Sequence, residues 1–209
     1  MGLEMEAVAA AAPAAAREQG VEIYPLSRYY FGAKDAAAAP RGLETAADRA
    51  LRLKANFAAN GLRTSVHGVL LVRNSSFVLP GGRLRPGEED VQGLKRKLSS
   101  KLSVLDDGEA DAEEEEDDWQ VGECIGMWWR SEFEAIPFPY MPPSFRAPKE
   151  CIKLFLIRLP VSRQFVVPRN MKLLAVPLSQ IHNNAQVYGP VISGIPNLLS
   201  KFSLNVISD

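Results

Sequence analysis

Residues 79–102 read LPGGRLRPGEEDVQGLKRKLSSKL, a Gly-Gly pair followed by acidic residues and a predicted amphipathic helix. A loop and helix of this kind can hold a pyrophosphate substrate with its divalent metal, because hard cations such as Mg²⁺ bind carboxylate oxygens. Glutamates at adjacent and i+3 or i+4 positions would place those oxygens on one helical face. The carboxylates of this segment are Glu88, Glu89 and Asp90, all at the start of the predicted helix. A carboxylate there also stabilises the helix dipole, and we prefer this structural interpretation.

The segment resembles the box of the Nudix hydrolases, in which a glycine precedes a glutamate, an arginine and two metal-binding glutamates at set intervals. Gly82, Glu88 and Arg96 match the glycine, the first glutamate and the arginine, and Leu98 matches an aliphatic position. The resemblance implies that the loop and helix pack on a sheet and keep a scaffold role.

The positions that carry the chemistry of that box hold other residues. Lys97 replaces the glutamate after the arginine, and Ser100 and Lys101 replace the two metal-binding glutamates. Two unit positive charges 4 Å apart repel by about 4 kcal/mol at an effective dielectric near 20. We therefore predict no catalytic residue, no metal and no cofactor. The alternative is a nucleoside polyphosphate hydrolase with a rebuilt metal site, which these three residues disfavour.

The elements that must position this segment alternate between helical and strand patterns, which predicts a mixed α/β domain. Helices are predicted over 43–61, 88–105 and part of 188–204. Strands are predicted over 63–73, part of 74–82, 119–130, 151–160 and part of 165–181. An extended arm is expected over 21–35 and a proline-rich loop over 133–150, since proline supplies no amide donor to a strand ladder.

The composition fits one globular domain with a charged insertion. The chain has 209 residues, of which 46% are hydrophobic, and a formal net charge of −1. Residues 106–118, DDGEADAEEEEDD, hold ten acidic groups, so the rest of the chain carries +9. A basic body favours a polyanionic partner such as nucleic acid, although a solvated surface accounts for the charge equally well. We expect a disordered Ala-rich tail over 1–20 and a domain over 21–209 that contains a disordered acidic loop, 106–118.

Cysteine usage and hydropathy exclude several classes of protein. The cysteines are Cys124 and Cys151, too few for a disulfide scaffold, which predicts a reducing compartment. A zinc site is not expected, because the chain has neither a CxxC pair nor a cluster of His and Cys. No run of about 18 apolar residues occurs, so no membrane-spanning helix is expected.

Several stretches outside the box resemble one family, the small, Nudix-fold subunit of pre-mRNA cleavage factor Im. They include YPLSRYYFGAKD, WWRSEFEAIPFPYMPP, APKECIKLFLIRL, FVVPRNMKLLAVPL and YGPVISGIPNLLSKF. The resemblance implies a Nudix-like α/β/α sandwich with a mixed sheet and a degenerate hydrolase site. It also implies a nuclear homodimer that reads UGUA in single-stranded pre-mRNA and recruits a larger, RRM-bearing subunit, with no role at a membrane. A dimeric scaffold that has lost RNA binding is a further alternative.

Candidate RNA-binding residues follow from this resemblance and from the chemistry of RNA recognition. Single-stranded RNA is read by stacking bases on aromatic rings and by hydrogen bonds to base edges. Phe77, Tyr140 and Tyr188, with the neighbouring Gly189, are the candidate stacking positions, and Arg49 matches the family's RNA-contacting arginine. Apart from the resemblance, a solvated charge is the commoner role for a lone helical arginine, and a core position is the commoner role for Phe77.

The chain departs from the family pattern in three places. His67 stands where the family has a glutamate, and either Arg41 or Glu44 aligns with a family glutamate upstream of Arg49. About ten residues, one strand of typical length, are missing between the first predicted helix and the Gly-Gly loop. The sheet could therefore be one strand short, with unpaired backbone groups that cost about 1–3 kcal/mol each if they are buried.

Overall fold

The computed structural model describes residues 20–35, 44–77, 79–103, 119–141 and 143–208. Nearly all of the predicted tail over 1–20 and all of the predicted acidic loop over 106–118 lie outside the described residues, as does Arg41. The described residues form one mixed sheet, two small parallel sheets and five α-helices. No helix among them is both long and apolar enough to cross a membrane.

The long predicted helices and strands are confirmed to within three residues at their ends. The strands are β1 (Val21–Ile23), β2 (Tyr29–Lys34), β3 (Arg63–Val72), β4 (Ser75–Phe77), β5 (Gly81–Arg83), β6 (Gln120–Arg130), β7 (Glu150–Arg158), β8 (Arg163–Pro168), β9 (Ala175–Pro177) and β10 (Leu204–Val206). The helices are α1 (Ala46–Asn60), α2 (Asp90–Leu102), α3 (Leu178–Ile181), α4 (Ala185–Ser193) and α5 (Ile195–Leu199). Two regions differ from the sequence-based prediction. A loop was predicted where β5 is found, and one short helix was predicted where α4, α5 and β10 are found.

The main sheet is built around β3 and runs in the order β6-β7-β3-β4-β9. β3 pairs in parallel with β7 over eight residues from Arg63 to Leu70, and β7 pairs antiparallel with β6. β4 joins antiparallel to both β3 and β9. Parallel and antiparallel pairs in one sheet confirm the predicted mixed sheet.

The second edge of β3 is the place where the shortened sequence was expected to leave backbone groups unpaired. Two short strands share that edge instead. β5 pairs with Ser65–His67, and β4 pairs with Leu71 and Val72. Between them, the amide of Gly68 donates to the carbonyl of Pro80. β4 and β5 therefore pair with β3 along the edge where unpaired backbone groups were expected.

Side chains on the two faces of β3 enter different cores, because successive residues of a strand point to opposite faces. Val66 and Leu70 pack with Leu94 and Leu98 of α2 in one core. Val69 packs in the other core with the C-terminal helices α3 and α5, and the residues that those helices supply are Ile181, Ile195 and Leu199. Helices thus cover both faces of the sheet, which confirms the predicted Nudix-like α/β/α sandwich.

Local sequence signals explain where α1 begins and which face of α2 is buried. At α1, Thr45 accepts a hydrogen bond from the amide of Asp48, whose carboxylate bonds back to the Thr45 amide. This capping box satisfies amide groups that have no partner inside the helix. In α2, leucines at positions 94, 98 and 102 share one face and are fully buried, as their spacing predicts.

The predicted arm over 21–35 is extended, but it is paired with distant strands. β1 lies parallel to β10, and β2 lies parallel to β8. Lys34, at the end of β2, donates to the carbonyls of Ser100 and Ser103 at the C-terminus of α2. A cation at a helix C-terminus is favourable, so the arm fastens the end of α2 to the domain.

The buried face of α2 gives a direct test of this packing. Leu98→Ala is expected to lower the free energy of unfolding by about 2–5 kcal/mol, because it removes a fully buried side chain and leaves a cavity. Leu51→Ala on α1 is the matched control. Leu51 is 66% exposed, so its truncation should change stability by less than about 0.5 kcal/mol. Urea unfolding followed by circular dichroism measures both, and equal effects would contradict the packing.

Candidate functional site

The box glutamate and the box arginine bind each other. Arg96 donates from Nε to Oε1 of Glu88 and from Nη2 to Oε2, each at 2.6 Å, and the amide of Arg85 donates to Oε2 at 2.7 Å. These hydrogen bonds, with that from Arg96 the largest influence, lower the pKa of Glu88 to about 2. The bidentate pair ties the loop after β5 to the second turn of α2.

The remaining acids of the segment are placed at the start of α2. Asp90 lies in the first turn and accepts a hydrogen bond from Nζ of Lys153 on β7 at 2.5 Å. Glu89 is the N-cap residue, and its side chain makes no capping hydrogen bond. Negative charge here stabilises the helix dipole, and the ion pair with Lys153 also fixes α2 to the sheet.

Two lysines lie against the Gly-Gly loop. Lys101 donates to the carbonyl of Gly81, and a Cβ on Gly82 would lie 3.5–3.8 Å from the outer atoms of Lys97. Burial is the main influence that lowers the pKa of both ammonium groups. Gly81 approaches β3 so closely that a Cβ there would collide with the carbonyl of Val66. The loop therefore packs on β3 and is held by an internal cation.

The described ranges contain no group of three or more His, Cys, Asp or Glu residues arranged to hold a metal ion. His67 lies near this loop, with Nδ1 at 3.4 Å from the carbonyl of Leu79. Burial lowers its imidazole pKa, which favours the neutral ring. What the segment contributes chemically is a cationic surface on α2 and a rigid loop.

Arg49 lies on α1 with its side chain 55% exposed, and its Nε is 3.2 Å from Oε1 of Glu134. Glu134 belongs to the loop after β6 and is itself mostly exposed. An exposed ion pair of this kind contributes little to stability, about 0–1 kcal/mol. Arg49 can therefore exchange Glu134 for a polyanion at little energetic cost.

Phe77 was a candidate stacking residue, and its placement requires a correction. It is 1% exposed and contacts Phe165 edge-on, with ring centroids 5.5 Å apart, and Phe31 at 6.0 Å. A ring enclosed by other rings has no face for a base. The burial favours the core interpretation and removes Phe77 from the candidate stacking surface. Its apolar strand position was the sequence signal for this outcome.

Tyr140 is 59% exposed in the proline-rich loop, so its ring is accessible to a base. Phe138 lies beside it, with ring centroids 6.2 Å apart, and is held by backbone hydrogen bonds in both directions with Trp129 of β6. The sequence analysis did not select Phe138. The pattern Phe-Pro-Tyr was the available signal, because residues i and i+2 of an extended segment lie on one side.

Tyr188 and Gly189 lie inside α4, at a break in the helix. Gly189 has φ 75° and ψ 166°, a left-handed conformation that favours glycine, and a Cβ on it would meet nothing within 4 Å. Tyr188 is half-buried against the core of the C-terminal helices. Among the described residues, no hydrogen bond, ion pair or ring contact joins Tyr188, Tyr140 and Arg49 to one another. The structure places them on three separate elements.

Comparisons with known proteins identify close relatives. A Nudix family model described as a nucleotide hydrolase matches residues 19–202. The "Pre-mRNA cleavage factor Im 25 kDa subunit 1" of Arabidopsis thaliana is 56% identical over 200 residues, which cover 90% of this chain and 86% of the relative. Subunit 2 from the same organism is 46% identical, with 92% of this chain and 99% of the relative covered. The "Cleavage and polyadenylation specificity factor subunit 5" of Dictyostelium discoideum is 38% identical, with 84% and 90% covered.

The Glu88–Arg96 pair predicts a pH dependence of stability. The pKa of Glu88 falls from 4.5 to about 2 on folding, so the ionised form stabilises the folded state fully above pH 4.5. The advantage of the wild type over Glu88→Gln should shrink as pH falls from 4.5 towards 2. Urea midpoints at about pH 7 and about pH 3 measure this, with Glu89→Gln as control. A difference that is unchanged at the lower pH would contradict the assignment.

Proposed function

Because the chain belongs to the family of the small, Nudix-fold subunits of pre-mRNA cleavage factor Im, we propose that it is a non-catalytic, RNA-binding subunit of a pre-mRNA 3′-end processing factor. It reads UGUA in single-stranded pre-mRNA. It acts in the nucleus as a homodimer and recruits a larger, RRM-bearing subunit.

The observation that carries the non-catalytic role is the cationic lining of the box. Lys101 binds the Gly-Gly loop where a hydrolase of this fold would need a carboxylate and its metal. Glu88 is engaged by Arg96, and Asp90 by Lys153, so two of the three carboxylates already have cationic partners. Phosphoryl chemistry without a metal would lack its main means of neutralising developing charge.

The RNA-binding role is supported by exposure and charge. Among the described residues, the Arg49 side chain is held by one exposed ion pair, with Glu134. Tyr140 presents an accessible ring, and Tyr188 and Gly189 lie at an open helix break. Outside 106–118 the chain carries a formal charge of +9. Stacking on an aromatic ring contributes about 1–3 kcal/mol per base, and cationic side chains bind the phosphates.

The burial of Phe77 favours one rival, a dimeric scaffold that keeps its partners but has lost RNA binding. One of the three candidate rings is enclosed in the core, where it cannot stack on a base. Under this rival the protein binds the larger subunit and shows no preference for UGUA.

RNA binding is tested by fluorescence anisotropy at physiological salt with a UGUA-containing RNA and the same RNA scrambled. The proposal predicts tighter binding to UGUA by at least about tenfold. Tyr188→Ala and Tyr140→Ala should each weaken UGUA binding by about 1–3 kcal/mol, the value of one stacked base. Arg49→Gln should weaken it by about 1.5–3 kcal/mol, the value of a hydrogen bond from a charged group.

Tyr30→Ala supplies the control for these variants, because Tyr30 is an exposed tyrosine on β2 outside the candidate surface. It should leave binding unchanged. Equal binding of the two RNAs, with the larger subunit still captured, would replace the proposal with the scaffold. Equal weakening in Tyr30→Ala and Tyr188→Ala would mean that the chosen residues are not specific contacts.

Hydrolysis is tested separately by incubating the protein with Mg²⁺ and a panel of nucleoside and dinucleoside polyphosphates. No phosphate release above the buffer rate is expected, because the metal-binding positions hold Ser100 and Lys101. Mg²⁺-dependent release that Glu88→Gln abolishes would overturn the non-catalytic assignment. Release unaffected by Glu88→Gln would point to a contaminating hydrolase and leaves the expected result standing.

A further inference from the structure

A shallow surface cleft lies beside the C-terminal half of α1, away from the Gly-Gly loop lysines. Its walls come from α1, from the first residue of β3, from the last residue of β5 and from the loop after β6. The residues that matter here are Asn56, Phe57, Arg63, Arg83 and Phe133. We call this feature the α1 cleft. None of these residues belongs to the candidate RNA surface described above.

Arg63 lines the α1 cleft and also belongs to a row of charged residues that runs across the sheet. Arg63 and Arg130 lie opposite Glu150 on the two strands that flank it. Their Nε atoms are 3.4 and 3.2 Å from the carboxylate oxygens, yet neither Nε is hydrogen-bonded although both are buried. One carboxylate cannot neutralise two guanidinium groups, so this row keeps a net positive charge.

Arg83 adds a second guanidinium to the same face. It lies opposite Ser65 in the β3–β5 ladder, and Ser65 is two residues from Arg63. Diagonal neighbours of this kind have Cβ atoms about 7–8 Å apart or less. Arg83 is half-buried, and among the described residues its side chain has neither a hydrogen bond nor an ion pair. A half-buried cation without an anionic partner is ready to bind one.

The other side of the α1 cleft is aromatic. Phe133 meets Phe57 edge-on, with ring centroids 6.1 Å apart, and both rings are half-buried. Nζ of Lys149 lies over the Phe57 ring, 4.0 Å from its centroid. The lysine covers that face of Phe57, which leaves Phe133 as the ring for a ligand, and it adds a third cation at the rim.

We propose that the α1 cleft binds one nucleotide of single-stranded RNA that flanks the UGUA element. The base stacks on Phe133, and Arg63 and Arg83 bind the adjoining phosphate. Planar guanidinium groups match phosphate oxygens, and aromatic rings accept any base. The α1 cleft is a shallow surface feature, which suits one surface-laid nucleotide rather than an enclosed ligand.

The α1 cleft is continuous with the proposed RNA surface through α1. Arg49, Leu53 and Phe57 are spaced at i, i+4 and i+8, so they share one face, and the ends of that face are about 12 Å apart. Two consecutive residues of the loop after β6 contact those ends, Glu134 at Arg49 and Phe133 at Phe57. An RNA strand bound at Arg49 can therefore continue along α1 to the α1 cleft. The inference rests on the proposed function in this respect.

The test compares two RNAs, UGUA without flanking nucleotides and UGUA with about six on each side, a total of about 16 nucleotides that is within the site sizes of single-strand binders. Arg83→Gln and Phe133→Leu should each weaken binding of the long RNA by about tenfold and leave the short RNA unchanged. Arg83→Gln should also reduce the slope of log affinity against log salt by about 0.7, the change expected when one phosphate is no longer neutralised by the protein. Arg85→Gln, an exposed arginine two residues away and outside the α1 cleft, should change neither RNA.

Arg83→Lys separates a direct role in binding from a role in folding, because it keeps the charge and removes the planar fork. It should keep the salt slope and recover part of the affinity. Equal weakening of both RNAs by Arg83→Gln, or weakening of neither, would overturn the α1 cleft. A third RNA, the long RNA with UGUA scrambled, separates this proposal from the proposed function. If the wild type binds the long UGUA RNA and the scrambled long RNA equally, the reading of UGUA fails. If Arg83→Gln then still weakens binding of these two long RNAs relative to Arg85→Gln, the α1 cleft stands as a sequence-independent site.

Discussion

The structure depends on β3 having both of its edges paired and both of its faces covered. β7 binds one edge in parallel, and β4 and β5 share the other. Val66, Val69 and Leu70 are completely buried, and each such side chain stabilises the fold by about 1.5–3 kcal/mol relative to an exposed one. Alternate residues of β3 place their side chains in the core under α2 and in the core under α3 and α5. A one-residue shift in the pairing of β3 would therefore disrupt both cores at once.

The box segment joins a loop to a helix through its own internal charges. A hydrolase of this fold would use carboxylates on α2 to hold a cation against the loop. Here Lys101 carries the cation on its own side chain and binds the carbonyl of Gly81 directly. Glu88 and Arg96 still join loop to helix.

Strand register and helix spacing, rather than the net charge of the chain, decide where the charged side chains of this protein lie. One row of paired residues across three strands consists of Arg63, Glu150 and Arg130, and its net charge is positive. Along α1, Arg49 and Phe57 share a face and meet consecutive residues of the same loop. Guanidinium groups and aromatic rings therefore lie close together along this part of the surface.

Local periodicity and motif spacing determined much of this protein from the sequence alone. The leucine face of α2, the alternating strand β7, the mixed α/β class and the lysines in the box all follow from patterns within about 20 residues, the range over which backbone geometry repeats. Tertiary structure decided the rest, because contacts between distant segments depend on strand register. It closed the edge of β3 with β4 and β5, enclosed Phe77 between Phe31 and Phe165, and set Arg83 beside Arg63. No periodicity encodes which residue of one strand faces which residue of another, and that pairing created the α1 cleft.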